Sequence, residues 1–153
     1  MYRLALILCL LAAPAFAEMA PRPGWSVTET GKPYADLISA VKDAARANGM
    51  GVVTAAGPTG VARNRGIEIP GNRVIGIFNN DFAVRILRLS TPAMIEAPIR
   101  MYVTENADGT ATLSYKLPST VFAPYTATAD PDLAAAAAEL DAIFAAIAAN
   151  AAE

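Results

Sequence analysis

The feature that most constrains the fold is a pair of alternating segments on either side of an Asp-Gly step. In residues 99–104, IRMYVT, and 110–116, TATLSYK, apolar side chains occupy every second position. This period of two is typical of strands with one buried face. Asp108-Gly109 between them suits a tight turn, since glycine accepts positive φ without steric cost. The sequence therefore predicts an antiparallel β-hairpin.

The outward face of this hairpin is predicted to be polar, with one exposed aromatic residue. It should present Arg100, Tyr102, Thr104, Thr110, Thr112, Ser114 and Lys116. A solvent-facing sheet explains this set, but Tyr and Arg are also enriched at interfaces. Tyr102 is therefore a candidate binding residue.

Periodicity elsewhere predicts three further strands and three helices. Strands are expected at 25–30, 50–55 and 73–78, and helices over 33–48, over 81–89 and from Pro131 onward. The last helix should pack an apolar stripe on the sheet, formed by Leu133, Ala137, Leu140, Phe144 and Ile147. Residues 57–73 fit both a helical turn near Val61 and an extended segment near Ile67. The order β-α-β-β-α-β-β-α predicts an α+β domain, with helices on one face of a mostly antiparallel sheet.

The first 17 residues are typical of a secretory leader. A basic start is followed by an apolar run, and APAFA supplies small residues before an expected cleavage after Ala17. A lipoprotein anchored through Cys9 is the rival interpretation, but Leu8 stands where a small residue would be needed. We expect release into a bacterial periplasm, with a flexible arm over 18–23, one domain over 24–150 and no membrane span after cleavage.

Composition removes several classes of function. The chain has no histidine, and its only cysteine lies in the expected leader. Ser-His-Asp and Cys-His catalysis and the usual zinc, haem and copper ligand sets are therefore excluded, and no cofactor is expected. A net charge of −2 argues against nucleic acid as a partner.

The string FNND after an apolar strand is the main candidate site. Asp81 is predicted to cap the following helix, while Asn79 and Asn80 suit a turn. Asn80 could also present its amide to a ligand near Pro98. Arg73 belongs to a basic cluster that could hold a carboxylate or phosphate. The candidate ligand-binding residues are therefore Asn79, Asn80, Pro98, Arg73 and Tyr102.

Carboxylates leave open an enzymatic alternative. Glu68, Asp81 and Glu96 lie near strand ends or loops, with Arg73 close by in the chain. Acid–base catalysis would require two of these carboxylates to converge in one concave site.

Three strings carry a resemblance of residues 61–117 and the following Pro118 to domain of unknown function family 302 (DUF302). They are ARNRGIEIPGNRVIGIFNND, TPAMIEAPIRMYV and DGTATLSYKLP. The matched positions are Gly66, Pro70, Phe78, Asn80, Pro92, Glu96, Pro98, Asp108, Gly109, Ser114, Tyr115 and Pro118. The chain departs from the pattern at Asn79, where the family has glycine, at Asp81, where it has proline, and at Gly57-Pro58, where members carry Asp-His.

The resemblance extends more weakly over residues 24–127 and implies a curved antiparallel sheet wrapped on helices, of the TATA-binding-protein-like type. It also implies self-association, and it brings no established activity. The sequence as a whole favours a non-enzymatic periplasmic domain. We expect a homodimer that binds a small apolar or amphipathic ligand or a periplasmic protein partner.

Overall fold

The computed structural model describes residues 19–153, so the predicted leader and cleavage site lie outside the described residues. The elements run in the order β1 (Trp25–Pro33), α1 (Tyr34–Ala47), β2 (Gly51–Ala56), α2 (Thr59–Asn64), β3 (Asn72–Phe78), α3 (Asn80–Leu89), a 3-10 turn (Pro92–Glu96), β4 (Ile99–Glu105), β5 (Thr110–Lys116), α4 (Pro118–Phe122), a second 3-10 turn (Ala123–Tyr125) and α5 (Asp132–Ala152).

The strands form one open antiparallel sheet in the order β1-β5-β4-β3-β2. Helices pack on one side of it, so the predicted α+β fold is confirmed. The predicted hairpin is β4–β5, and Gly109 in its turn has a φ of 84°. Because β1 returns to pair with β5, the hairpin lies inside the sheet, and the edges are β1 and β2.

The core lies between the sheet and the two long helices. Alternate strand residues such as Ile75, Met101 and Leu113 are buried there. The predicted stripe of α5 is confirmed, since all five of its residues are at most 3% exposed. Buried alanines on the same helix leave room for α1, which packs against α5. We call this side of the sheet the covered face.

The end of β1 differs from the sequence prediction. The Gly31-Lys32-Pro33 segment does not end β1, because the strand continues through an irregularity between Thr30 and Pro33. An edge strand tolerates both a bulge and a proline, since one of its sides has no ladder to interrupt. Residues 57–73 contain the short helix α2 and then irregular backbone up to Asn72, so the predicted helical turn is present.

Candidate functional site

The second side of the sheet, which we call the open face, carries the side chains that alternate with the core residues. On β5, Ser114 pairs with Val27 on one side and with Tyr102 on the other, and Tyr102 pairs with Val74 of β3. These four residues form a row across the sheet. Ser114 is 0% and Thr112 4% exposed. The prediction of a plain solvent-facing surface is therefore wrong for Thr112 and Ser114, and Ser114 lies between the larger side chains of Val27 and Tyr102.

A groove of about 370 Å³ opens on this face. Its lining includes Trp25, Val74, Arg100, Tyr102, Lys116 and Val121. The first five belong to the strands, whereas Val121 belongs to α4, and Glu96 from the first 3-10 turn adds a carboxylate to the lining. We call this cavity the open-face groove. Its size and its mixture of apolar, aromatic and few charged groups are typical of a small-molecule site.

Three polar side chains of the groove, Asn72, Glu96 and Tyr102, already have hydrogen-bond partners. The side-chain amide of Asn72 donates to the Tyr102 hydroxyl oxygen at 2.6 Å. The Tyr125 hydroxyl donates to Oε1 of Glu96 at 2.6 Å, and this hydrogen bond to a carboxylate raises the pKa of Tyr125 above its ordinary value. One carboxylate oxygen of Glu96 is therefore engaged by a neighbouring side chain.

The two cations of the groove differ from these polar groups in having no partner of opposite charge among the described residues. Within residues 19–153, neither Arg100 nor Lys116 forms an ion pair. The Lys116 ammonium lies 5.6 Å from the centre of the Trp25 ring, and the Arg22 guanidinium lies 5.0 Å from it. Both distances are within the range of cation–π attraction. The indole is therefore held among cations at one end of the groove.

The structure does not bring the predicted site residues together. Tyr102 lines the open-face groove. Pro98 packs beside Gly76, where an added Cβ would come within 2.9 Å of the proline Cγ. The Arg73 guanidinium instead lies 3.5 Å from the Ala55 carbonyl oxygen, toward the β2 edge.

The FNND segment forms a helix cap away from the groove lining. The prediction that Asp81 caps α3 is wrong, because the helix begins one residue earlier, at Asn80. Asn79 is the cap: its side-chain oxygen accepts from the N–H groups of Asp81 at 2.8 Å and Phe82 at 3.1 Å. Its amide donates to the Gly49 carbonyl at 2.9 Å, which ties α3 to the turn before β2. Among the described residues, the Asn80 side chain makes no hydrogen bond.

The cavity beside Asn79 is too small for a ligand. It holds about 30 Å³ and is lined mainly by apolar residues such as Ile77, Phe82 and Phe144. This is the space of a single water molecule. The structure thus gives Asn79 a structural task, and the nearest cavity offers no volume for an organic molecule.

The carboxylates of the enzymatic alternative lie in different places. Glu96 lines the open-face groove, whereas Asp81 lines another cavity with Arg85 and Arg88 of α3. Glu68 lies between α2 and β3. The convergence that acid–base catalysis would need is not found among these three side chains.

Two other carboxylates, at the turn end of the β4–β5 hairpin, accept hydrogen bonds from backbone N–H groups. Glu105 accepts from the Gly71 N–H at 2.6 Å, and Asp108 accepts from the N–H and hydroxyl of Thr110. These hydrogen bonds lower the pKa of Asp108 below its ordinary value.

The part of the chain that the structure describes contains no group of three acidic, histidine or cysteine side chains able to hold a metal ion. None of the helices within residues 19–153 is long and apolar enough to cross a membrane.

Sequence reasoning missed Trp25, Lys116 and Val121 as site residues. Trp25 is the only tryptophan of the chain, which was a usable signal. Its position opposite Lys116 depends on the pairing of β1 with β5, which no local pattern reveals. The site is therefore a product of strand order.

These features define a class: a small α+β domain whose open antiparallel sheet is covered by helices on one side and grooved on the other. The chain belongs to the DUF302 family, "Domain of unknown function DUF302", whose model matches residues 25–151. The resemblance found in the sequence is thereby confirmed.

A solved structure of the same family has the same fold. The crystal structure of an uncharacterized conserved DUF302 protein from Bacillus stearothermophilus matches with a TM-score of 0.75 and 17% sequence identity. The match covers 85% of this chain and 99% of that one. At this identity the likeness establishes the fold alone. A search of the curated proteins found no match.

Proposed function

We propose that this domain is an exported, non-enzymatic binding module whose open-face groove holds a small amphipathic ligand. The observation that carries the proposal is the groove itself, with about 370 Å³ of space between Trp25, Val74 and Tyr102. Aromatic side chains offer large rigid contact surfaces, and few polar groups are needed to orient a small ligand.

Binding is favoured over catalysis by the state of the polar groups. Asn72 and Glu96 already hydrogen-bond to tyrosines of the same protein. A carboxylate that acts as a general base must be free to take a proton from the substrate. The single carboxylate of the groove already accepts a hydrogen bond from Tyr125, so the groove is better equipped for recognition than for proton transfer.

A blocking substitution tests the groove. Val74→Arg places a long side chain in the lining, whereas Val84→Arg makes the same change on α3, where Val84 is 40% exposed. Octan-1-ol and octanoate serve as probes in a thermal-shift assay of the purified protein. We expect both probes to raise the unfolding temperature of the wild type and of Val84→Arg, but not of Val74→Arg. Equal stabilisation of both variants, or no stabilisation of the wild type, would contradict the proposal.

We also propose that the protein is exported to the periplasm through the leader-like segment at residues 1–17. Fractionation of expressing bacterial cells, followed by intact mass determination, tests this. The expected product is a periplasmic chain that begins at Glu18. A full-length chain retained in the cytoplasm would contradict export.

Self-association is the third part of the proposal, and the β2 edge is its proposed site. β2 carries no charged residue and no proline, although its register with β3 is irregular near Val53. β1, the opposite edge, contains Glu29, Lys32 and Pro33. Charges and proline protect an edge from pairing, so β2 is the edge better suited to pair with another strand. A second copy is the simplest partner, because two-fold pairing of β2 with itself is self-complementary.

Sedimentation velocity tests the proposed dimer. Val53 is 53% exposed, and Val53→Lys adds a charge at the edge, while Val84→Lys adds it on α3. We expect a dimer for the wild type and Val84→Lys, and a monomer for Val53→Lys. A monomeric wild type, or a dimer that is unaffected by Val53→Lys, would overturn this interface.

A further inference from the structure

The open-face groove contains two neighbouring cations on adjacent strands. Trp25 pairs with Lys116 across β1 and β5, and Gly76 pairs with Arg100 across β3 and β4. The pair Met101–Tyr115 ends the described β4–β5 ladder, so Arg100 and Lys116 are the next residues on the two strands. Their side chains line the same groove. Like charges on neighbouring strands are unfavourable, although water screens this repulsion because both side chains are exposed.

The surroundings compensate this charge only in part. Within the described part of the chain neither cation has a carboxylate within ion-pair distance. Glu96 is the single acidic residue in the lining, and its Oε1 accepts the Tyr125 hydroxyl. The groove therefore carries two cationic side chains and one acidic one, although the chain as a whole has a formal charge of −2. A local excess of positive charge in an acidic protein favours an anion at this place.

Apolar surface lies directly beside the cations. The adjacent row across the sheet contains Val74 and Tyr102, and Ile99 and Val121 also line the groove. An anion that is compact and fully hydrophilic would leave this surface unused. A molecule with one anionic group and an apolar body would contact both parts.

We infer that the ligand of the groove is a small amphipathic carboxylate. Its carboxylate lies between Arg100 and Lys116, and its apolar body lies along Trp25, Val74 and Tyr102. The guanidinium of Arg100 offers a planar fork of donors that matches the two oxygens of a carboxylate. This inference rests on the proposed function, because it names the class of ligand for the same groove.

The sole tryptophan gives a direct optical test. Because Trp25 lines the groove, its fluorescence reports occupancy without a label. Three probes share one alkyl chain and differ in the head group: octanoate, octan-1-ol and octylamine. We expect octanoate to bind about tenfold more tightly than octan-1-ol, the size of effect for one hydrogen bond to a charged group, and octylamine to bind weakest. Added salt should weaken octanoate binding and leave octan-1-ol binding unchanged.

The outcomes distinguish the inferred head group of the ligand from the proposed binding groove. If octanoate and octan-1-ol bind equally, the head-group inference is overturned while the groove proposal stands. If none of the probes binds, both are overturned.

A matched pair of variants assigns the effect to a residue. Arg100→Gln removes one cation of the groove, and Arg88→Gln removes an identical charge from α3, where Arg88 lines a different cavity. We expect Arg100→Gln to weaken octanoate binding at least about fivefold without changing octan-1-ol binding, and Arg88→Gln to leave both unchanged. Calorimetric titration checks the same affinities independently of the fluorophore. Equal loss in both variants would show that only net charge matters, and this result would contradict a carboxylate position at Arg100.

Discussion

The two faces of the sheet are built from alternating residues of the same strands, yet they differ in kind. Ile75, Met101 and Leu113 on the covered face are buried and apolar. Tyr102 and Ser114, their neighbours in the chain, lie on the open face. Side chains of a strand alternate between faces, so a shift of one residue exchanges the two environments. The same alternation of side chains along the strands therefore builds both the hydrophobic core and the groove.

The faces should therefore respond differently to substitution. A fully buried large apolar side chain contributes roughly 1.5–3 kcal/mol, so the covered face should hold most of the stability. The open face contains two unpaired cations and a buried Ser114 hydroxyl that has no partner among the described residues. The buried hydroxyl costs stability, whereas the two cations line the groove and are the groups that a ligand could use.

The largest effect is expected on the covered face, at Leu140 of α5, which is 3% exposed. Leu140→Asp should lower the free energy of unfolding by about 3 kcal/mol or more, because it buries an unpaired charge and removes packing. Leu140→Met, which nearly conserves volume, should cost less than about 1.5 kcal/mol. Urea unfolding measures both. A small loss for Leu140→Asp would show that α5 is peripheral to the scaffold.

The cap of α3 should give the next largest effect. Asn79→Ala should cost about 1–2 kcal/mol, since it removes the cap of two N–H groups and the link to Gly49. Asp81→Ala should cost only about 0.3–1 kcal/mol through the helix dipole. Asn80→Ala should change stability little and leave groove binding unchanged, since Asn80 is outside the groove lining. Urea unfolding and octanoate titration give these values. The reverse order, Asp81 above Asn79, would contradict the assigned cap.

Two buried hydroxyls on β5 sharpen the comparison within the open face. The Thr112 hydroxyl donates to Oδ1 of Asn106 at 3.0 Å, whereas the Ser114 hydroxyl has no partner among the described residues. Thr112→Val should therefore lower the free energy of unfolding by about 1 kcal/mol, and Ser114→Ala should raise it by a similar or smaller amount. Thermal and urea unfolding check the signs. A loss of about 1 kcal/mol for Ser114→Ala would mean that its hydroxyl is satisfied in solution.

The smallest effect is expected at the hairpin turn and depends on pH. Hydrogen bonds from Thr110 hold the pKa of Asp108 below its ordinary value in the folded protein. A lowered folded pKa contributes stability above the unfolded pKa, and this contribution is lost as pH falls through the folded value. The difference in unfolding temperature between wild type and Asp108→Asn should therefore shrink on acidification below about pH 4. A difference that stays constant with pH would contradict the role of these hydrogen bonds.

The scaffold could be predicted from the sequence better than the site, for a physical reason. The hairpin, α1 and α5 follow from periodicities within single segments, and these local patterns were sufficient. The groove depends on which strands lie side by side, and Trp25 meets Lys116 only because β1 returns to β5. The same pairing buries Ser114, which local alternation had placed in solvent.

The misplaced cap has a simpler cause. Asn79 and Asp81, two positions apart, both have side chains suited to capping, and helix starts are uncertain by one or two residues from sequence. In the structure Asn79 is the cap, and its amide also donates to the Gly49 carbonyl. That contact joins two distant segments, so no local pattern could have predicted it.

The most direct test of the central claim is to map octanoate binding by NMR on uniformly labelled protein. The account predicts that chemical-shift changes concentrate on the open face, at the indole N–H of Trp25 and the backbone amides of Val74, Tyr102 and Lys116. Residues of the covered face, such as Leu140, should remain unperturbed. Changes centred on α3 or α5, or an unchanged spectrum at saturating octanoate, would contradict the assignment of the open-face groove as the binding site.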